Sequence, residues 1–446
     1  MQQRIKPPSA EDIAQMFQAS GLKEKLLFTF AMIAVFRLCA QLPLYGINNE
    51  VFAHLASGNN IIGFLDLFSG GALGNVSIIA LGIGPYITSS IIIQLLAVVV
   101  PQLEQLQKEE GEAGRRKLSQ YTRVFTVIIA IFQSLIFLIF LTTQAPAALL
   151  IGNKTFYMFA STAILTAGSV FVMWLAELIS ERGLGNGGSL LIFCGILAGI
   201  PVYASRTGQL VANDNAMMFG LICLLAIFFV AMIFIVIMQE AIRKVVIVNP
   251  RRQVGNKVYG GVDTYIPFKL NPGGVMPIIF AIAILLFPST IVAVLEQIHV
   301  GNPAVAKMIS TLATIVNPSG ATYYIIYFLL IFALTFFYAS IMPNMQPKDI
   351  ANNLKKYGSS IPGIKPGKPT ADALEKILSR TTFIGAMGLG LIALVPSFAS
   401  YATGITTMQG IGATSLIIMV GVALDFINQI KTHLLARNYE SFLKNG

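Results

Sequence analysis

The chain has 446 residues, of which 55% are hydrophobic and only 11% charged, and it carries a formal net charge of +10. Soluble domains are about 25% charged, so a string of ordinary soluble domains is excluded. Apolar stretches of about 20 residues recur along the length, each enough to cross roughly 30 Å of hydrocarbon. Backbone groups in such stretches must bond within the segment, which makes them helices, and the alternating pattern of a membrane β-barrel does not occur.

In chain order, the polar start MQQRIKPPSAEDIAQMFQASGLKEK has no cleavage site after a short apolar core. Residues 1–21 read as a retained cytoplasmic segment. Spans are expected at 22–42, 76–99, 124–144, 156–178, 189–205, 216–238, 275–296, 321–342, 381–401 and 411–431. A further apolar piece, 61–69, is too short to cross and stops at Gly70-Gly71. It reads as a re-entrant half-helix or an interfacial segment. The ten spans divide into halves at 22–205 and 206–431, with a tail at 432–446. Five is odd, so the second half enters the membrane inverted, a plan common in proteins that open alternately or move substrates.

Orientation follows from lysine and arginine. With a cytoplasmic amino terminus, 26 of the 30 basic residues fall on the cytoplasmic side, while the outer loops hold Lys154, Arg206 and Lys307. Two cytoplasmic loops are long. Loop 239–274 alternates apolar and β-branched residues around a glycine pair and reads as a projecting β-hairpin. Loop 343–380, with NLKKYGSSIPGIKPGKPT, is a basic, proline-punctuated protrusion. Such loops set topology and touch anionic lipid, but their length and structure also suit docking of a cytoplasmic partner.

Chemistry-bearing residues are sparse. Cys39, Cys194 and Cys223 have no metal-ligand spacing and read as small buried thiols. His54, His299 and His433 lie near span ends or in loops. Arg37 is about five residues from the outer end of its span, a place from which it could snorkel outward. Glu177, Glu181, Arg182, Asp425 and Asp66 complete the charged set near the membrane. A mid-membrane charge costs about 2.5–3.5 kcal/mol on insertion scales. Such scarcity counts against an ion-coupled carrier and fits a passive pore with an apolar lining. No HExxH, GxS elbow, P-loop or pair of membrane aspartates is present, so an intramembrane enzyme is disfavoured. A secondary transporter with inverted repeats would move small solutes and depend on Asp425 or Glu177, whereas a non-pore insertase would need a polar groove in place of an apolar collar.

Residues 61–99, IIGFLDLFSGGALGNVSIIALGIGPYITSSIIIQLLAVV, closely resemble the SecY family, whose members are the central subunit of the bacterial protein-conducting translocon. The likeness continues in order through EEGEAGRRKLSQYTR, MWLAELISERGLGNGGSLLIF, VNPRRQ, NPGGVMPIIFA, IANNLKKYG, IPGIKPG and TSLIIMVGVALDF, covering nearly the whole chain. Several details are similar to the cyanobacterial and plastid branch. The resemblance implies an all-α polytopic membrane protein of ten helices, in two inverted five-helix halves, with a re-entrant plug half-helix. It implies a channel that passes unfolded polypeptide and makes or breaks no bond, without a cofactor. The membrane is then a bacterial plasma membrane, or the thylakoid for a cyanobacterial or plastid protein.

By the same resemblance, 61–74 is the plug of the resting pore, with Phe68 at its pore-facing end and Gly70 and Gly71 easing its displacement. The pore ring corresponds to Ile83, Ile87, Ile192, Ile279 and Ile418. Ile83 and Ile87 are four apart and share a helix face, and stiff β-branched side chains form a collar that resists ions by dewetting. A further ring position falls on Gly188, a departure that leaves the collar wider there or filled by a neighbour. The lateral gate is the seam between the helical part of span two and span seven. Thr88 faces Phe287 across it, with Gln94, Gln133 and Asn271 as a polar cluster; the competing reading is polar glue between permanently packed helices. Arg251, Arg252 and Lys257 in the first loop, and Lys355, Lys356, Lys365 and Lys368 in the second, fit docking of the SecA motor and the ribosome. Lys365 stands where the family has arginine, keeping the charge but not the planar fork. The remaining implied partners are a SecE-like clamp, a SecG-like subunit, preprotein signal sequences and membrane lipids.

Overall fold

The structure, a computed structural model, describes residues 21–48, 69–108, 111–144, 153–213, 217–249, 252–254, 257–259, 264–295, 303–316, 320–341, 346–404 and 413–444. Its elements are α1 (Leu22–Ala40), α2 (Gly84–Val99), α3 (Pro101–Lys108), α4 (Gly111–Gln144), α5 (Lys154–Arg182), α6 (Gly187–Asn213), α7 (Met217–Glu240), β1 (Ile242–Ile247), β2 (Arg252–Val254), β3 (Lys257–Tyr259), β4 (Thr264–Lys269), α8 (Met276–Leu295), α9 (Pro303–Val316), α10 (Ala321–Ile341), α11 (Pro347–Tyr357), α12 (Lys368–Thr403) and α13 (Ala413–Lys444). Each expected span lies on a helix of its own, and α3, α9 and α11 are additional short helices. Among the described residues, seven helices are long and apolar enough to cross a membrane, while α2 and Met276–Leu285 are shorter apolar segments. Helix α1 keeps its charges near its ends, with Glu24 in the first turn and Arg37 in the last.

One boundary differs from expectation. Hydropathy predicts that the second span is helical from residue 76, yet the helix starts at Gly84 and 70–83 runs as successive turns. The cause is a competing set of backbone bonds. Leu44 N donates to the Val76 carbonyl at 2.8 Å, Ile78 N donates to Leu42 at 3.0 Å, and Pro43 bridges Ser77. Groups committed to the chain at 42–44 are unavailable for the i to i−4 ladder of a helix.

The chain clusters into two compact units. The first comprises Met1–Ser89, Arg123–Val202 and Val422–Gly446; the second comprises Ser90–Thr122 and Tyr203–Gly421. In the first, α1 packs on α5, and a core of Leu44, Ile47, Leu73, Val76, Ala80, Leu138, Leu141, Tyr157 and Leu165 surrounds the turn segment. The glycine-rich connection from α5 to α6 is tied on several sides. Leu184 N donates to the Thr29 hydroxyl at 3.1 Å, Gly185 N to Gln429 Oε1 at 2.6 Å and Gly187 N to the Ser180 hydroxyl at 2.9 Å. A Cβ on Gly187 would fall 1.9 Å from the Ala176 carbonyl oxygen, so the close approach admits glycine alone.

In the second unit, α12 packs on both α7 and α10, α8 packs on α10, and α9 lies against α8 and α10. The expected hairpin is present: β1 and β4 pair antiparallel with Val245 opposite Ile266 and Arg243 opposite Phe268, and β2 pairs with β3 nearer the tip. The second long loop is more ordered than a bare protrusion. Its first third is largely helix α11, and its last third is the start of α12. Both loops close over a shared core of Val245, Phe268, Ile361, Leu374 and Leu378, joined by Ile266, Ile350, Leu354, Ile364 and Ile377. Val248 and Ser360 exchange backbone bonds of 2.9 and 3.1 Å, and the Ser359 hydroxyl donates to Asn249 Oδ1 at 2.7 Å.

Candidate functional site

Residues 61–68 of the segment expected to be the plug, including Phe68, lie outside the described residues. The described part of that segment begins at Ser69. Gly70 and Gly71 have φ of 72° and 82°, the left-handed region that glycine enters without strain. The Ser69 hydroxyl accepts a bond from Leu73 N at 2.9 Å, and from Ala72 onward the chain sinks into the core of the first unit. Arg37 does not point away from the protein: its Nη1 donates to the Gly70 carbonyl.

Of the five isoleucines expected to form the ring, Ile83, Ile87 and Ile192 belong to the first unit. Ile83 occupies the turn just before α2 and Ile192 lies on α6; both are buried, whereas Ile87 is half-buried on α2. Ile279 on α8 and Ile418 on α13 belong to the second unit and are also buried. The departure at Gly188 has a local explanation. A Cβ there would sit 3.3 Å from Ile83 Cδ1, so Ile83 already lies over the bare glycine backbone. A large side chain at 188 and Ile83 in its present rotamer would compete for one space.

The residues expected at the gate divide similarly. Thr88 is half-buried on α2 and donates its hydroxyl to the Gly84 carbonyl of its own helix at 3.1 Å. Phe287 is on α8, and its side chain lies outside what is described. Gln133 is half-buried on α4 in the first unit. Gln94 and Asn271 are in the second unit, each with its own partners. Gln94 Nε2 donates to the Ser90 hydroxyl at 3.1 Å, while Asn271 Nδ2 donates to the Gly274 carbonyl at 2.6 Å and reaches Gln239 Oε1 at 3.5 Å.

A residue absent from the expected set completes this arrangement. Tyr338 on α10 donates its hydroxyl to Gln94 Oε1 at 2.8 Å, and its ring packs against Phe280 of α8 with centroids 5.3 Å apart. One side chain on the eighth span thus joins the second and seventh. The signal lies in TFFYASI: a tyrosine in the last turn of an apolar span, half-buried by its neighbours, needs a hydrogen-bond partner for its hydroxyl.

On the cytoplasmic side, Lys355, Lys356, Lys365 and Lys368 all reach solvent, with Lys365 and Lys368 on either side of the Pro366-Gly367 turn. Helix α11 turns Ile350 and Leu354 to the shared core and so presents Lys355 and Lys356 on the opposite face. The backbone of Lys365 is fixed by the Thr370 hydroxyl, which donates to its carbonyl at 2.8 Å. Arg252 and Lys257 sit on β2 and β3, their side chains outside the described set, and Arg251 lies outside the described residues. The exposed face of the main hairpin also carries Lys244, whose Nζ lies 4.8 Å from the centre of the Tyr265 ring, a cation–π contact.

Comparison with known proteins covers the chain from end to end. A profile of the SecY family matches residues 77–427. The protein translocase subunit SecY of Synechocystis is 44% identical over 446 residues, spanning 99% of each chain. That of Thermotoga maritima is 39% identical over 438 residues, spanning 96% of this chain and 97% of its own. Among solved structures, a protein-conducting channel superposes with a TM-score of 0.64 at 17% identity, and Sec61 in the canine ribosome–channel complex from the endoplasmic reticulum with 0.60 at 16%, each covering 92% of both chains. These last two are likenesses of fold. The chain belongs to the SecY family.

Proposed function

We propose that this protein is the protein-conducting channel of a general secretory pathway. It passes unfolded polypeptide through an apolar ring closed by a plug, and releases apolar segments sideways between α2 and α8. The observation that carries the reading is membership of the SecY family across 99% of the chain, and the left-handed conformation of Gly70 and Gly71, at the end of the segment expected to be the plug, supports it.

The work is partitioning and displacement. Ile83, Ile87, Ile192, Ile279 and Ile418 act as the collar, presenting no hydrogen-bonding groups to a passing chain. Thr88, Phe287, Gln94, Gln133 and Asn271 act at the gate, where intramembrane hydrogen bonds of only about 0.6–2 kcal/mol allow helices to part. Signal sequences and lipid meet there. Energy comes from outside: the SecA motor or the ribosome docks on Lys355, Lys356, Lys365, Lys368 and the hairpin residues Arg251, Arg252 and Lys257. A SecE-like subunit clamps the two halves and a SecG-like subunit joins them, in a bacterial plasma membrane or thylakoid.

The gate is tested by Thr88→Cys with Phe287→Cys in a background lacking the three native cysteines. Joined by a short crosslinker in reconstituted vesicles with partners present, the pair is expected to stop preprotein transport. Undiminished transport with the crosslink complete would remove these residues from the gate.

A further inference from the structure

In an antiparallel ladder the residues that exchange backbone bonds alternate along each strand. Leu270 N donates to the Ala241 carbonyl at 3.0 Å, so the register makes Arg243 with Phe268, Val245 with Ile266 and Ile247 with Thr264 the bonded pairs of β1 and β4. Ile242, Lys244 and Val246 therefore turn their N–H and C=O groups the other way, to the edge of β1 that β4 does not cover. Val248 has the same phase, and it exchanges bonds of 2.9 and 3.1 Å with Ser360 on that edge. There the chain begins a third strand and abandons it. Next in register, beside Val246, comes Pro362, which has no N–H, and Ile364 N turns back to the Ile361 carbonyl at 3.1 Å. Among the described residues no other segment pairs with β1, so its edge is open along Ile242, Lys244 and Val246.

The two edges of the hairpin differ in how they are guarded. On β4 the outward positions are Tyr265, Pro267 and Lys269, and the proline withholds the central N–H, a common defence against strand addition. The β1 edge has no proline. Its middle residue, Lys244, leans toward β4 over the Tyr265 ring, which draws the charge away from the open side. Ile242 and Val246 on either side of it are exposed. The strand is also held in place before any partner arrives, because Val245 and Phe268 are anchored in the cytoplasmic core. The surroundings fix the sign of what would fit. Residues 239–274 carry six basic side chains against two acidic ones, and α11 adds Lys355 and Lys356 just before Ser360.

We propose that the open edge of β1 is a docking strand, to which an extended acidic segment of a cytoplasmic protein adds as a third strand. About five residues of the partner bond to Ile242, Lys244 and Val246, with apolar side chains beside Ile242 and Val246 and carboxylates near Arg243 and Lys244. This rests on the reading of the cytoplasmic loops as a docking surface and specifies how a protein partner is held there. Main-chain bonds set the register of the added strand, and the basic surroundings speed the encounter.

The test uses the full channel complex in nanodiscs and a fluorescent seven-residue peptide of alternating glutamate and valine. Anisotropy reads binding, and residue-resolved amide exchange reads its place. Exchange is expected to slow at Ile242, Lys244 and Val246 and to stay unchanged at Arg243, Val245 and Ile247, whose amides already face β4. The same peptide N-methylated throughout keeps its charge but cannot donate, and should bind at least tenfold more weakly. Val246→Pro removes one outward N–H without touching the ladder to β4, and should weaken binding of the unmodified peptide about tenfold. Val246→Thr keeps that N–H and should match the parent. Equal binding of the two peptides, or slowed exchange without the alternation, would overturn strand addition in favour of charge alone. An equally tight grip on a seven-nucleotide single-stranded RNA would overturn it too, as the mark of a basic patch that reads phosphate. So would a parent complex that binds no peptide. Should Val246→Pro fail to assemble, the methylated peptide and the exchange pattern of the parent decide alone. Docking of the SecA motor on the parent complex is measured in parallel. Its absence would remove the docking reading itself, a result separable from the others.

Discussion

Tyr338→Phe removes one hydroxyl and leaves the ring, so the packing on Phe280 is retained and the loss is confined to the 2.8 Å bond with Gln94. Hydrogen bonds between helices in membranes average about 0.6 kcal/mol and reach about 1.7. Gln94 would keep Ser90 through its amide nitrogen, but its oxygen would lose the tyrosine hydroxyl, which adds a desolvation cost. The total is about 1–2 kcal/mol against the closed seam, or roughly a 5- to 30-fold shift toward opening. Initial transport rates of a preprotein with a shortened signal core would read this directly, because such a substrate is limited by gate opening. The rate should rise within that range while transport of an intact preprotein changes little. Gln94→Ala should give a comparable rise, and the double variant should not exceed either by more than about twofold, since coupled residues are non-additive. An unchanged rate in Tyr338→Phe beside an increase in Gln94→Ala would refute the bridging role.

Two further outcomes are expected. Gly188→Ile forces Ile83 from its present position, so the solubilised complex should lose about 1–3 kcal/mol of stability and the open channel should conduct less; an undiminished open conductance would take Ile83 out of the ring. Leu374→Ala empties the centre of the cytoplasmic core at a cost of about 2–5 kcal/mol. Limited proteolysis should then cut within 239–274 and 343–380 while the membrane helices stay protected, and an unaltered cleavage pattern would deny that the two loops share a core.

The spans are legible in the sequence because hydropathy and length decide them almost alone, and the hairpin because strand alternation around a turn is a local pattern. What escapes depends on partners distant in sequence. Residues 76–83 are as apolar as a helix, and only their bonds to 42–44 explain why they are turns. Ile361, Leu374 and Leu378 read as scattered apolar residues in a basic loop until Val245 and Phe268 arrive from the hairpin some hundred residues earlier. Arg37 gives a clear signal as an isolated charge, but snorkelling and an inward bond are indistinguishable without the Gly70 carbonyl. The departure at Gly188 likewise acquires a meaning only beside Ile83.

Helix α12 runs without interruption from Lys368 to Thr403, 36 residues, or about 54 Å at 1.5 Å per residue. Its first part is built into the cytoplasmic core through Leu374 and Leu378, and its remainder packs between α7 and α10. It is in effect a lever with its handle outside the membrane. A load applied to the basic face of α11 reaches that bundle through the shared core and along α12, whose one internal proline, Pro396, lies near the far end. A tilt of a few degrees over that length is a displacement of several ångströms at the far end, beside the start of α10, whereas Tyr338, three residues from the other end of α10, lies close to the handle.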